Sequence, residues 1–146
     1  MIFKKQYLYL ILVIFSMLSF ISCQALYVPL KKEMPFNINS NSKADVEEAI
    51  RKSFIARGWA FKKKKGENFA AILNVRKHEI KVNISYTEDN IIFKYVSSKN
   101  MNFGINPFAE INPTANTKTK YIHKNYQMWV DSLFASINSN LSLSAN

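Results

Sequence analysis

The side chains in this chain that can take the most chemical roles, as metal ligands or in proton transfer, are its two histidines, His78 and His123. A zinc site needs three or four ligands drawn from His, Cys and carboxylates, and neither a His-x-x-His nor a Glu-x-x-His spacing occurs. The single cysteine, Cys23, directly follows an apolar leader. We therefore predict no metal site, and we expect His78 to be a hydrogen-bonded residue at the edge of the core.

Other catalytic patterns are missing from the sequence as well. None of its serines lies in the Gly-x-Ser-x-Gly setting of a nucleophile. There are only three glycines, which is too few for a glycine-rich loop around a phosphate. The carboxylates are scattered, and most fall on faces predicted to meet solvent. We expect that the protein is not an enzyme and uses no cofactor.

The first 22 residues have the pattern of a secretory signal peptide. Lys4 and Lys5 precede an apolar run, residues 7–21, that two serines interrupt, and a small residue stands before the cut. A membrane-spanning helix needs roughly 20 apolar residues, and this run is shorter. No basic cluster follows it directly. The pattern favours a cleaved signal peptide over residues 1–22 rather than a retained anchor helix.

The tetrapeptide Phe20-Ile21-Ser22-Cys23 resembles a bacterial lipobox, in which the cysteine is acylated and becomes the N-terminus of the mature protein. Ser22 fits the small residue before the cysteine, whereas Phe20 departs from the usual leucine. A lone cysteine forms no internal disulfide, and an unpaired thiol is a liability in an exported protein. Two or more acyl chains hold a protein firmly at a membrane. We therefore predict a lipid anchor, with chains such as palmitate, at Cys23.

The residue after this cysteine bears on the choice of membrane. In Gram-negative lipoproteins an aspartate at that position signals retention at the inner membrane, and this chain has Gln24 there. The sequence therefore favours the periplasmic face of the outer membrane over the inner membrane.

The chain is strongly basic, with a formal net charge of +10 at pH 7 that falls to +8 when Lys4 and Lys5 leave with the leader. Such a charge invites a nucleic-acid interpretation. However, only Arg51, Arg57 and Arg76 are arginines, and arginine is the residue that makes bidentate contacts with bases and phosphates. We expect no nucleic-acid partner, and attraction to anionic lipid or polymer of the envelope stays open.

Residues 23–41 are predicted to be the acylated cysteine and a tether. Pro29 and Pro35 interrupt this stretch, and no helical or strand period holds in it. Fully extended, it would span roughly 60 Å. Met34 and Phe36 are too apolar for a purely solvated spacer, so part of the tether is expected to lie against the domain.

Residues 42–146 are predicted to form one domain that begins with a helix. Ser42 and Asp45 resemble a capping box, and an apolar stripe at helical spacing follows. Gly58 supplies the C-terminal stop. A second helix is predicted over residues 119–140, after a loop of more than twenty residues, and residues 141–146 are expected to fray.

Four strands are predicted between these helices, at residues 59–61, 69–75, 78–86 and 91–96. The third has the clearest alternation, with apolar and polar side chains on opposite faces. Short connections imply an antiparallel meander. Because both helices must bury a stripe and the sheet offers one apolar face, we expect an α+β two-layer sandwich in the order helix, four-stranded antiparallel meander, helix.

Four motifs then carry a resemblance to a known family. They are Gly58-Trp59, the strand from Arg76-Lys77-His78 to Tyr86, the segment Tyr95-x-x-Ser98-x-Asn100, and Ile122-His123-Lys124-Asn125-Tyr126 with Trp129. In this order they resemble a family of small uncharacterised proteobacterial envelope lipoproteins, over residues 58–137. The chain departs from that pattern by an insertion at Phe103–Thr117. The resemblance implies a cell-envelope lipoprotein and implies no activity.

Seven polar or aromatic side chains from these motifs should meet at one end of the sheet, since they belong to a strand start, a strand end and a helix start. They are His78, Ser98, Asn100, His123, Asn125, Tyr126 and Trp129. One interpretation is a small pocket for an envelope partner or ligand. The other, which we favour, is a hydrogen-bonded cap that locks the last helix onto the sheet.

Two classes of function follow from these observations. The first is a membrane-anchored, non-enzymatic interaction or structural module of the cell envelope that faces the periplasm. Its partners would be the membrane, through Cys23, and an unknown envelope protein or polymer. The second is a ligand-binding lipoprotein that holds a small molecule or envelope polymer at one end of the sheet.

Overall fold

A computed structural model describes residues 26–39, 42–104, 106 and 119–144. The signal peptide and Cys23 lie outside the described residues, as does most of the Phe103–Thr117 insertion. The described chain forms two helices and two antiparallel sheets, one of five strands and one of two. This confirms the α+β class. The four predicted strands are present, but the predicted number of strands was too low, because the described chain has three further short strands.

The elements follow one another in a simple order along the chain. They are β1 (Tyr27–Pro29), β2 (Glu33–Asn37), α1 (Lys43–Ala56), β3 (Ala60–Lys63), β4 (Asn68–Val75), β5 (His78–Tyr86), β6 (Asn90–Lys99), β7 (Tyr121–His123) and α2 (Asn125–Ser144). In the larger sheet the spatial order is β2-β6-β5-β4-β3. The four predicted strands are therefore consecutive neighbours, and β2 is added at the edge beside β6.

The tether prediction was wrong for the part of residues 23–41 that the structure describes, although its expectation that Met34 and Phe36 lie against the domain is confirmed. Met34 is 4% exposed and packs in the core, and Phe36 is half-buried between strand and helix. Pro35, which has no amide proton to donate, lies on an edge strand, where proline is tolerated. The alternation Met34, Phe36, Ile38 was the sequence signal for this strand. The folded domain therefore begins well before residue 42.

The start of the last helix was also predicted incorrectly. Residues 121–123 form β7, which pairs with β1 through Tyr27–His123 and Pro29–Tyr121. The helix then begins at Asn125 and continues to Ser144, beyond the predicted fraying point. Leu141 is 5% exposed in the core, which explains why the helix persists there.

The first helix was predicted correctly at both ends. The Ser42 hydroxyl accepts a hydrogen bond from the backbone amide of Asp45 at 3.2 Å and so satisfies a donor of the first turn. After the helix, Gly58 adopts a φ of +70°, a conformation that glycine takes without strain. The amide of Trp59 then donates to the Phe54 carbonyl at 2.8 Å and so satisfies an acceptor in the last turn of the helix.

Both helices pack against the same face of the larger sheet. The Phe54 ring of α1 stacks on Phe61 at 4.7 Å, and the Phe134 ring of α2 stacks on Phe36 at 4.1 Å. Along β4 and β5 every second residue is buried while its neighbours are not. The two helices are also linked to each other, because the side-chain amide of Asn140 donates to the Ser53 hydroxyl at 2.9 Å. The opposite sheet face bears polar and charged side chains.

The presence of β2 in the sheet makes Met34 a sensitive position. We expect Met34→Ala to lower the free energy of unfolding by about 2–4 kcal/mol, because truncation removes buried methylenes and leaves a cavity. Asn37→Ala, an exposed change on the same strand, should stay within about 0.5 kcal/mol. Urea unfolding of both variants measures the difference. Two equally small effects would mean that this segment is a solvated tether after all.

Candidate functional site

A β-bulge in β6 shapes the end of the sheet where the predicted residues lie. Val82 pairs with Tyr95, but the preceding residue Lys81 pairs with Ser97, so Val96 is the extra residue. As a result Tyr95 and Ser98 both point to the helix-covered face, although they are three residues apart. Their hydroxyl groups are 2.9 Å apart. The bulge therefore turns Ser98 inward.

His78 is tied to the end of β6. Its Nδ1 lies 2.7 Å from the carbonyl oxygen of Asn100, and because a carbonyl only accepts, Nδ1–H is the donor. The Asn100 side-chain amide donates in turn to the carbonyl of Lys77. Asn100 has a φ of +56°, which asparagine adopts more readily than most residues. Asn100 therefore holds the start of β5 beside the end of β6.

His123 performs a different task, at the start of α2. Its Nδ1 accepts the backbone amide of Asn125 at 3.2 Å, so this nitrogen carries no proton and the neutral ring bears its hydrogen on Nε2. The amide of His123 itself donates to the Met101 carbonyl at 2.9 Å. Burial lowers the pKa of His123, and the nearby His78 and Lys124 lower it further. The neutral imidazole thus helps to cap the last helix.

Aromatic contacts connect these residues in two groups. In the first, the His78 ring lies 6.0 Å from the His123 ring and 6.2 Å from the half-buried Trp129 ring, between centroids. In the second, Tyr126 meets Tyr95 edge to face at 5.5 Å. Tyr126 and Trp129 are one turn apart on α2. The structure therefore places all seven predicted residues at one end of the sheet, around the start of the last helix.

The Tyr126 hydroxyl is buried and has no hydrogen-bond partner among the described residues. Burial raises the pKa of this tyrosine, and the neighbouring Tyr95 raises it further. The side chain is therefore neutral and packs as a large ring. It anchors α2 against β6.

A concavity of about 390 Å³ adjoins the Tyr95–Ser98 pair. The Phe103 ring forms one wall and lies 5.2 Å from the Tyr95 ring. The lining also includes Leu30, Lys32, Val96, Ser97 and Ser98. Sequence analysis missed this feature because Leu30 and Lys32 fell in the predicted tether. Its apolar walls and cationic rim suit an amphiphilic molecule.

Glu47 forms a polar cluster between α1 and the sheet that the sequence analysis also missed. Arg51 donates to one carboxylate oxygen at 3.1 and 2.9 Å, while Lys63 and the Tyr86 hydroxyl donate to the other. The bonds from Lys63 and Tyr86 are the main reasons why the pKa of Glu47 falls to about 2. Burial, followed by the bond to Glu47, raises the pKa of Tyr86. The cluster joins helix and sheet electrostatically.

The open face of the larger sheet carries a second concavity, of about 620 Å³. Its charged lining comprises Lys64, Lys65, Lys94 and Glu33, and Glu33 pairs with Lys94 at 2.7 Å. The remaining lining residues are mostly amides and hydroxyls: Asn68, Asn83, Ser85 and Ile92. Lys64 donates to the Asn83 side chain at 3.2 Å. This surface has the character of a contact for acidic or hydroxyl-rich partners.

The described residues contain no group of three or more His, Cys, Asp or Glu side chains placed to hold a metal ion. Neither described helix combines the length and apolar character needed to cross a membrane.

Comparison with known proteins adds no family to this picture. No model of a known protein family matches the chain, and no curated protein matches it. A functional proposal therefore rests on the sequence itself and on the geometry of the described residues.

The capping role of His123 predicts a pH dependence. A histidine whose pKa is lowered by folding stabilises the fold in its neutral form, so that stability is present above the ordinary pKa and is lost as the pH falls through the folded value. We expect the free energy of unfolding to drop between pH 7 and pH 5 by on the order of 1 kcal/mol, a typical value for one capping bond, and the unfolding temperature to fall with it. His123→Gln, which does not titrate, should remove most of this slope.

His78→Gln is the matched comparison, since it removes a histidine from the same cluster but leaves the partly buried His123 in place. It should keep the larger part of the slope, because burial is the first cause of the His123 shift. Thermal unfolding at a series of pH values measures all three proteins. Equal slopes for wild type and His123→Gln would contradict the capping role.

Proposed function

We propose that this protein is a lipid-anchored envelope lipoprotein whose domain acts as a non-enzymatic interaction module on the periplasmic side, at the outer membrane. The observation that carries the proposal is the position of Cys23. It is the only cysteine, it ends an apolar leader, and the first strand begins only four residues later, at Tyr27. An acyl group at Cys23 would thus sit directly beside a folded domain.

The resemblance of the motifs to small proteobacterial envelope lipoproteins supports the same proposal. The residues that carry this resemblance have structural tasks in the domain. Asn100 and His123 bond to backbone groups, and Tyr126 fills the core. These tasks favour the cap interpretation of the seven-residue cluster and leave partner binding to the exposed surfaces.

The open sheet face is the surface that we assign to the partner. Its concavity of about 620 Å³ is lined by three lysines and by amide and hydroxyl side chains. Positive potential draws in an anionic partner, and the amides supply directional hydrogen bonds. The partner we propose is an acidic envelope protein or an anionic envelope polymer.

A ligand-binding lipoprotein is the second candidate. The concavity of about 390 Å³ beside Tyr95 and Ser98 favours it, since it lies at the end of the sheet where the sequence placed the ligand. Its volume falls within the range of small-molecule sites. A small molecule recovered from purified protein would favour this candidate over the interaction module.

The anchor is tested by metabolic labelling. We expect a fatty acid fed to cells to label the wild-type protein and to leave Cys23→Ser unlabelled, because the substitution removes the sulfur that carries the acyl group. The substituted protein should also leave the membrane fraction. Labelling that survives the substitution would refute the lipid anchor at Cys23.

The partner surface is tested by photo-crosslinking in intact cells. A photoreactive residue in place of Asn83, in the middle of the open sheet face, should trap a defined species that the same residue at Ile55 does not. Ile55 is 74% exposed on α1, on the opposite side of the sheet, and controls for random capture. Identical patterns from both positions would refute the assignment of the open face.

A further inference from the structure

We propose that the end of the domain that carries β1 lies against the membrane, and that the concavity of about 390 Å³ there receives the headgroups of anionic phospholipids. This inference rests on the lipid anchor of the proposed function. We call this the membrane-facing surface and define it by Leu26, Lys31, Lys32, Val96 and Phe103. Four lines of reasoning lead to it.

The linker between anchor and domain is very short. Only two residues separate Cys23 from Leu26, so the chain reaches at most about 10–11 Å between them. The Leu26 carbonyl accepts the amide of Lys124 at 3.0 Å, and β1 pairs with β7 immediately afterwards. The headgroup layer of one leaflet is itself about 5–8 Å thick. The start of β1 therefore cannot move far from the lipid surface.

Exposed apolar side chains are concentrated near this end. Leu26, Val96 and Phe103 are 47%, 49% and 45% exposed, and they are half of the six large hydrophobic side chains exposed in the described residues. Phe103 and Val96 line the same concavity, together with Leu30. Apolar side chains in water have a driving force to enter the interfacial layer of a bilayer.

The lysines beside these apolar groups have no acidic partner within the part of the chain that the structure describes. Lys31 and Lys32 are exposed, and neither is paired with a carboxylate of the described residues. The neighbouring Glu33 is paired elsewhere, with Lys94 at 2.7 Å. Unpaired lysines at a membrane surface are attracted to anionic lipid. The membrane-facing surface thus keeps its positive charge available.

The concavity matches the two chemistries of a phospholipid headgroup region. Lys32, Ser97 and Ser98 supply the polar part of its lining, which suits a phosphate. Leu30, Val96 and Phe103 form its apolar side. A glycerophosphate group joins an anion to the start of the acyl chains and would meet both sides at once.

Depth labelling of the anchored protein tests the orientation. The acylated protein is placed in phosphatidylcholine vesicles that contain phosphatidylglycerol and a quencher in the headgroup region. A fluorophore on Phe103→Cys should be quenched strongly, whereas one on Leu143→Cys should not. Leu143 lies about 27 Å along α2 from its start, at 1.5 Å per residue. Equal quenching at the two positions would overturn the proposal.

Charge variants test the lipid preference in the mature chain made without acyl groups, as Cys23→Ser. Replacing Lys31 and Lys32 by alanine should weaken binding to phosphatidylglycerol vesicles about thirtyfold, at about fivefold for each lysine. Replacing Arg57 and Lys62 by alanine, two exposed cationic residues away from both concavities, removes the same charge and should have a much smaller effect. Equal losses would mean that only net charge acts, which overturns the proposal.

These experiments distinguish a failure of the proposed lipid anchor at Cys23 from a failure of the proposed membrane orientation. Mass measurement of the N-terminal peptide reports whether Cys23 is acylated. A bare cysteine refutes the proposed anchor, while the lysine comparison still decides whether this surface prefers anionic lipid. An acylated protein with equally quenched labels refutes the orientation alone. Thermal unfolding of each variant confirms that the exposed substitutions leave the fold intact.

Discussion

The five-stranded sheet has one apolar face, and the rest of the molecule depends on this constraint. Because side chains alternate along a strand, every second residue of β4 and β5 points toward the same layer. The two helices can bury their apolar stripes only against this face of the sheet. As a result α1 and α2 are neighbours, and they are linked by the hydrogen bond between Asn140 and Ser53. The opposite face is left to water, and its lysines and amides are consequently available to other molecules.

Elements with strong local patterns could be predicted from the sequence. The capped start of α1 at Ser42 and its stop at Gly58 depend on residues within a few positions of one another. The alternation of β5, from His78 to Tyr86, is likewise readable in nine residues. In each case the local preference agrees with the tertiary arrangement, so short-range reasoning is sufficient.

Elements that depend on distant partners could not be predicted in this way. β1 and β7 are three residues each and are held by their mutual pairing. β2 contains Pro35, which argues for a linker until its place at a sheet edge is known. The cluster of His78, His123 and Trp129 could be predicted because its members belong to a predicted strand and a predicted helix that were expected to meet at one end of the sheet. The concavity beside this cluster could not be predicted, because its walls depend on the pairing of β2 with β6 and on the bulge at Val96.

The pairing of β1 with β7 has a consequence for the order of folding. It joins residues at the start of the described chain to residues just before the last helix, and contacts so distant in sequence carry a large loop-closure cost and form late. A chain delivered N-terminus first would make β1 before any other strand and would pair it last. Until residues 121–123 are synthesised, β1 has no strand to pair with. The domain is therefore incompletely folded beside Cys23, the residue proposed to carry the lipid.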